Sequence, residues 1–164
     1  MKTIILFRHS EAGWNSEYGS DHERPLTDRG IKVAKKMGLH LSEIKSIPDL
    51  LISSTALRAK STAKVAKKEG GWNSEFILEK GIYRGNPLFI IDLIKKQDDA
   101  INSICVTGHE PHFSSFICRA INKDHIHFPT ASMAKIDFMK NEWKNIDFDN
   151  ANLDWLIKPE ELGI

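Results

Sequence analysis

Up to residue 122 the chain alternates, and that alternation is its strongest constraint. Short apolar runs at Lys2–Phe7, Asp49–Ser53, Phe76–Leu78 and Ile101–Thr107 each lead, directly or across a loop, into a segment with helical spacing. Runs this short and this apolar read as strands covered on both faces. Strands that alternate with helices build a mostly parallel sheet. The expected fold class is therefore α/β, a three-layer α/β/α arrangement in one domain over residues 1–164.

Local signals place the helices. Thr27 is an N-cap with Asp28 in the first turn, and Ile31, Ala34, Met37, Gly38 and Leu41 follow on one face. Ser54 or Thr55 is expected to cap a second helix running to about Lys68, with a small face of Ala56, Ala59, Ala63 and Ala66 and a stop at Gly70-Gly71. Pro87 to Lys96 fits a third. Pro111 opens a fourth, with Phe113, Phe116, Ile117, Ala120 and Ile121 as its buried stripe. Beyond Pro129 the period changes to two. Ala134–Phe138 alternates, Asn141 supplies a turn, and Trp143–Ile146 is expected to return as a hairpin. Leu153, Trp155 and Ile157 alternate again, so the sheet should gain an antiparallel edge.

Several function classes are disfavoured at this level. The net charge of +1 gives no field for nucleic-acid binding. The N-terminal apolar run is far shorter than the roughly 20 residues of a membrane span, and shorter than a secretory core. Cys105 and Cys118 form no CxxC pair and read as reduced thiols. A cytoplasmic protein without nucleic-acid or membrane partners is expected; its oligomeric state is open.

The polar residues at the strand ends carry the chemistry. In an open α/β sheet, ligands bind beyond the carboxyl ends of the strands. The first strand ends in Arg8-His9. The second ends in Ser53-Ser54, with Arg58 shortly after. The fourth ends in Gly108-His109. If these strands are neighbours, two guanidinium groups and two imidazoles surround one point. Arginine forks suit phosphate oxygens, and a neutral imidazole nitrogen can attack phosphorus. His109 could stabilise the charge that develops on an equatorial oxygen. Such a site requires no metal or other cofactor. His109 and His112 do not make a metal pair, because Pro111 lies between them.

These residues also resemble a known family. "FRHSEAGWN" (Phe7–Asn15) is similar to the RHG-type opening of the histidine phosphatase superfamily, also called phosphoglycerate mutase-like. "RPLTDRG" (Arg24–Gly30), "DLLISSTALRAKSTA" (Asp49–Ala63) and "VTGHEP" (Val106–Pro111) match its later landmarks in order. The short length and the ending "FPTASMAKIDF…W…LDWLIKPEEL" resemble the SixA-type phosphohistidine phosphatases. The resemblance implies a phosphoglycerate mutase-like fold with His9 as the phosphorylated nucleophile. Arg8, Arg58 and His109 would complete the phosphate pocket, with Asp21 and Arg24 at its mouth. Ser10 departs from the pattern, since many members have glycine there.

A phosphate ester also needs a proton for its leaving oxygen. The candidate acids are Glu79, Glu11 and Glu110, and none stands out. A phosphorylated imidazole leaves more readily, because its nitrogen accepts a proton near neutral pH. The sequence therefore favours phosphohistidine on a protein, such as a histidine-transfer domain, as substrate. Alternatives are a phosphatase or mutase for small phosphate monoesters, and a non-catalytic phosphate-binding module. His22, His40, His125 and His127 are expected at the surface.

Overall fold

In a computed structural model, residues 1–14, 19–149 and 151–164 are described. Residues 15–18, in the polar stretch between Ser10 and Leu26, lie outside that set. The strands are β1 (Lys2–Arg8), β2 (Leu50–Ser53), β3 (Glu75–Leu78), β4 (Ser103–Gly108), β5 (Met133–Phe138) and β6 (Ala151–Ile157). The helices are α1 (Asp28–Glu43), α2 (Leu57–Glu69), α3 (Pro87–Lys95) and α4 (His112–Ile121). One six-stranded sheet has the order β3-β2-β4-β1-β5-β6. Its first four strands are parallel, and β5 and β6 add antiparallel.

Each central strand divides its side chains between two layers. Ile5 and Phe7 pack with Val33, Met37 and Leu41 of α1 and with Ala63 and Ala66 of α2. Ile4 and Leu6 pack with Ile90, Ile91 and Ile94 of α3 and with Phe113, Phe116 and Ile117 of α4. Period two in β1 thus feeds both cores. The small face of α2 lets helices approach closely. A Cβ added at Gly38 would lie 2.3 Å from the main-chain oxygen of Ala66.

Connection direction explains which helices share a layer. From β1 the chain moves to β2 and β3 through α1 and α2, and then returns to β4 through α3. Crossovers between parallel strands keep one hand, so reversing direction puts the later helices on the opposite face. Strands β1 and β4 are neighbours whose following helices lie on different faces. That is a topological switch point, and a crevice opens there at the carboxyl ends of the strands.

The antiparallel edge is made by a different segment from the one expected. Trp143–Asn145 is a short 3-10 helix, and the strand that pairs with β5 is β6. Trp143 is needed elsewhere. Its indole is buried and donates to the main-chain oxygen of Ile101 at 2.8 Å, beneath the start of β4. Lys2 is buried beside it, donating to the carbonyls of Asp99 and Ile101 at 2.6 and 2.8 Å, with its ammonium over the Trp143 ring. A burial demand of this kind overrides local strand propensity. Helix α2 also starts later than expected. Neither Ser54 nor Thr55 caps it; Ala56 holds the N-cap position without a side-chain bond. The Thr27 cap on α1 forms as expected, its side chain accepting from the Gly30 amide. Among the described residues, no helix is long and apolar enough to cross a membrane.

Candidate active site

Strand neighbourhood settles where the polar ends meet. Ser53 pairs with Thr107, and Arg8 pairs with Gly108. The ends of β2, β4 and β1 therefore lie side by side, and His9 and His109 follow adjacent strand ends. Their ring centroids are 5.5 Å apart. His9 is held through its main chain: its amide donates to the Gly108 carbonyl, and its carbonyl accepts from the Ala131 amide, both at 3.0 Å. Arg58 reaches the same point from the first turn of α2. His9, Arg58 and His109 are 8, 7 and 5 % exposed, so polar chemistry has been concentrated in a nearly dry place.

The hydrogen bonds of His9 define its reactive atom. Nδ1 lies 2.7 Å from the Ser10 carbonyl, which can only accept. Nδ1 therefore carries the proton, and Nε2 keeps its lone pair. Burial, above all, pushes the His9 pKa down to about 4, with Arg58, Arg8 and Arg24 adding to the effect against the Ser10 bond. Burial is also the main cause that lowers His109 to about 3, with His9 and Arg58 next. Both rings are neutral at pH 7. Unfolded imidazoles protonate near 6.5, so the unfolded chain binds more protons between about pH 6.5 and 4, and the fold loses stability as pH falls through that window. An NMR titration of the histidine ring nitrogens should find His9 and His109 neutral down to about pH 5. A His9 midpoint near 6.5 would contradict this.

Both arginines are held so that one edge stays free. Arg58 Nη1 and Nη2 donate to the main-chain oxygen and Oδ2 of Asp21, at 2.8 and 3.1 Å. Arg8 Nη1 donates to the Phe128 carbonyl at 3.0 Å. Among the described residues, Arg8 Nε, Arg58 Nε and His109 Nδ1 are buried without a hydrogen-bond partner. Buried donors without partners are rare, and three of them around one point fit a polyoxyanion that accepts from several directions.

Four further groups build the surroundings. Thr62 accepts from the Ser10 amide at 2.9 Å and donates to the Arg58 carbonyl at 2.7 Å, tying β1's end to α2. The Ser10 hydroxyl, where glycine is common, is buried and donates to the Gly30 carbonyl at 2.7 Å. Ser54 bonds His109 Nε2 at 2.8 Å and accepts from the Ala56 amide. Asp21 binds Arg24 at 2.7 Å as well as Arg58. With Tyr83, Arg24 and Arg58 all against it, the Asp21 carboxyl is held well below the usual range. Asp21 is thus a partner of arginines and, as an anion, an unsuitable ligand for phosphate. Arg24 lies under the exposed Trp14 ring, 3.9 Å from its centroid, and donates to the Gly13 carbonyl.

The candidate acids are engaged elsewhere. Glu79 accepts from the Gly81 amide, and Glu110 from the Ser114 amide at the start of α4. Glu11 accepts from the Thr27 hydroxyl and lies 3.9 Å from Arg29. Among the described residues, no group of three or more His, Cys, Asp or Glu side chains is placed to hold a metal ion. Sequence reasoning missed two neighbours. Tyr83 packs its ring at 77° to His109, with centroids 5.5 Å apart. His22, expected as a plain surface residue, is in edge contact with Tyr83 and bonds Thr55 at 2.9 Å. A Tyr four residues after a glutamate offers no signal of its own; only the Glu79 turn brings it inward.

Residues 4–82, which include Arg8, His9 and Arg58, match the family model for the histidine phosphatase superfamily, branch 1. Over residues 4–82 the chain is a histidine phosphatase superfamily sequence. A protein of uncharacterised function from Mycobacterium leprae is 23% identical over 158 residues, covering 89% of this chain and 95% of that one. The fold is shared with SixA from Agrobacterium tumefaciens. Those chains superpose with a TM-score of 0.83 at 22% identity over 96% of this chain and 98% of that one. The protein histidine phosphatase SixA complexed with tungstate gives 0.84 at 19% identity, covering 98% and 99%. Membership and chemistry together make the protein a phosphatase; its substrate is a separate question.

Proposed function

We propose that this phosphatase removes phosphoryl groups from phosphohistidine on proteins, through a phosphoenzyme on His9. The observation that carries the substrate choice is the commitment of the candidate carboxylates among the described residues. Glu79 and Glu110 accept main-chain amides, Glu11 is held by Thr27, and Asp21 stays ionised between Arg24, Arg58 and Tyr83. Each of these four carboxylates already has a protein donor. Phosphohistidine does not need a general acid, because its second ring nitrogen takes a proton near neutral pH and the imidazole leaves neutral.

In the first step the lone pair of His9 Nε2 forms a bond to phosphorus. The substrate P–N bond breaks, and its electron pair returns to the departing imidazole. In the second step water attacks phosphorus, the His9 P–N bond breaks, and inorganic phosphate leaves. Arg8, Arg58 and His109 bind the equatorial oxygens, where charge accumulates. A groove of about 450 Å³ runs from Arg8 along Glu110, Ser114, His125 and His127. It gives room for polypeptide beside Arg8, which a small sugar phosphate would not use.

The test compares a phosphorylated histidine-transfer domain with p-nitrophenyl phosphate and 3-phosphoglycerate. The phosphoprotein should be preferred in kcat/KM over 3-phosphoglycerate by about 100-fold or more, since expelling an alkoxide needs a general acid; p-nitrophenolate leaves without one and reports whether the pocket is competent. An equal or greater rate on an alkyl monoester removes the substrate assignment. Absence of turnover on all three would favour a binding module.

A further inference from the structure

One residue next to the pocket has no part in the chemistry above, yet it touches both halves of it. Tyr83 sits in the short 3-10 helix Lys80–Tyr83 that follows β3. Its hydroxyl donates to Asp21 Oδ2 at 2.5 Å. The same oxygen accepts from Arg58 Nη2 at 3.1 Å. Its ring meets His109 edge to face, and the Arg58 guanidinium carbon lies 5.8 Å from its centroid. On its other side the His22 ring packs at 89°, with centroids 4.9 Å apart. The tyrosine is therefore fixed from several directions, and it passes that fixity to a carboxylate.

The carboxylate matters because of which edge of Arg58 it takes. A guanidinium has an end-on edge, Nη1 with Nη2, and a side-on edge, Nε with Nη2. Asp21 occupies the end-on edge through its main-chain oxygen and Oδ2. The side-on edge is left, and its Nε is buried and unpartnered among the described residues. Asp21 alone could rotate about its own side chain and carry Arg58 with it. Tyr83 on Oδ2 and Arg24 on Oδ1 close both ends of the carboxylate, so it cannot turn without breaking a charge-assisted bond.

We propose that Tyr83 is a positioning residue, which locks Asp21 and thereby holds the side-on edge of Arg58 ready for two phosphate oxygens. The proposal rests on the phosphate-pocket reading above. It assigns Tyr83 no proton transfer: the hydroxyl keeps its proton and donates it in a hydrogen bond to Asp21, and that bond raises the tyrosine pKa. The ring contact to His109 is a separate packing role that phenylalanine would keep.

The test uses orthovanadate binding, measured by calorimetry on the full chain. Four proteins are compared: wild type, Tyr83→Phe, Arg58→Lys and the double variant. Tyr83→Phe should bind vanadate about tenfold more weakly, the scale of one misaligned charge-assisted hydrogen bond. In the Arg58→Lys background the same change should cost less than about twofold, because lysine has no edge to orient. A second measurement needs no ligand. Rotation of the Arg58 guanidinium, followed by nitrogen NMR, should be slow in wild type and faster in Tyr83→Phe. Equal vanadate affinity in wild type and Tyr83→Phe, equal losses in both backgrounds, or unchanged rotation would each overturn the inference while leaving the pocket intact. A wild type that does not bind vanadate removes the pocket, and the inference with it.

Discussion

His9→Ala should lower turnover by at least about 10⁴-fold and leave no phosphoenzyme, as expected when a nucleophile that forms a covalent intermediate is deleted. The argument rests on the tautomer. Because Nδ1 keeps its proton and donates it in a hydrogen bond to the Ser10 carbonyl, Nε2 is the only nitrogen of that ring able to attack. Burial keeps the ring neutral, so no proton must be lost first. Rapid-quench labelling followed by mass spectrometry would place the phosphoryl group on residue 9 in wild type, as an acid-labile adduct. A label on another residue, or alanine variant activity above about 1% of wild type, would disprove covalent catalysis at His9. The variant should fold, because the main-chain bonds from residue 9 to Gly108 and Ala131 do not involve the imidazole.

Arg58→Ala should reduce kcat/KM by about 10²–10³-fold, the range seen when one donor to a developing oxyanion is removed. The loss has two parts. A fork that donates to two oxygens disappears, and the Asp21 carboxylate it held keeps only Arg24 as a cationic partner, so more of its negative charge is felt by the phosphate. The second part is separable. Adding Asp21→Asn to Arg58→Ala should recover some activity, whereas Arg58→Lys should recover little, because an ammonium cannot present the same edge. Steady-state assays on the phosphoprotein decide this. If Arg58→Ala retains near-normal kcat/KM, the guanidinium is a structural partner of Asp21 and nothing more.

Much of this was open to reading because strands and phosphate chemistry both leave local marks. The run Ile4–Phe7 is apolar on both faces, and it ends where charge is needed; β1 ends at Arg8 accordingly. The Thr27 cap and the alanine face of α2 follow from side-chain size and hydroxyl placement alone, and both occur. What stayed hidden depended on long-range partners. Trp143 alternates like a strand residue, but its indole is claimed by the Ile101 carbonyl. Ser54 looks like a helix cap, but its hydroxyl is turned to His109. Tyr83 and His22 have no motif around them. Their places come from a short turn after β3 and another after residue 20, which only the folded chain brings together. Asp21 was expected to line the mouth; its hydrogen bonds also make it a brace for two arginines, a role that charge sign decides and sequence position does not.

His9 and Arg58 are anchored by different means, and their tolerance to change should differ accordingly. The imidazole rides on main-chain bonds to two neighbouring segments, which any residue at 108 or 131 able to keep its backbone in place would preserve. The guanidinium hangs on Asp21, and through it on Arg24 and Tyr83, each replaceable by a single base change. Laboratory evolution toward new phosphorylated compounds should accordingly accumulate its substitutions around residues 21–24 and 83, retuning how the anion is gripped while the attacking nitrogen stays where the sheet put it.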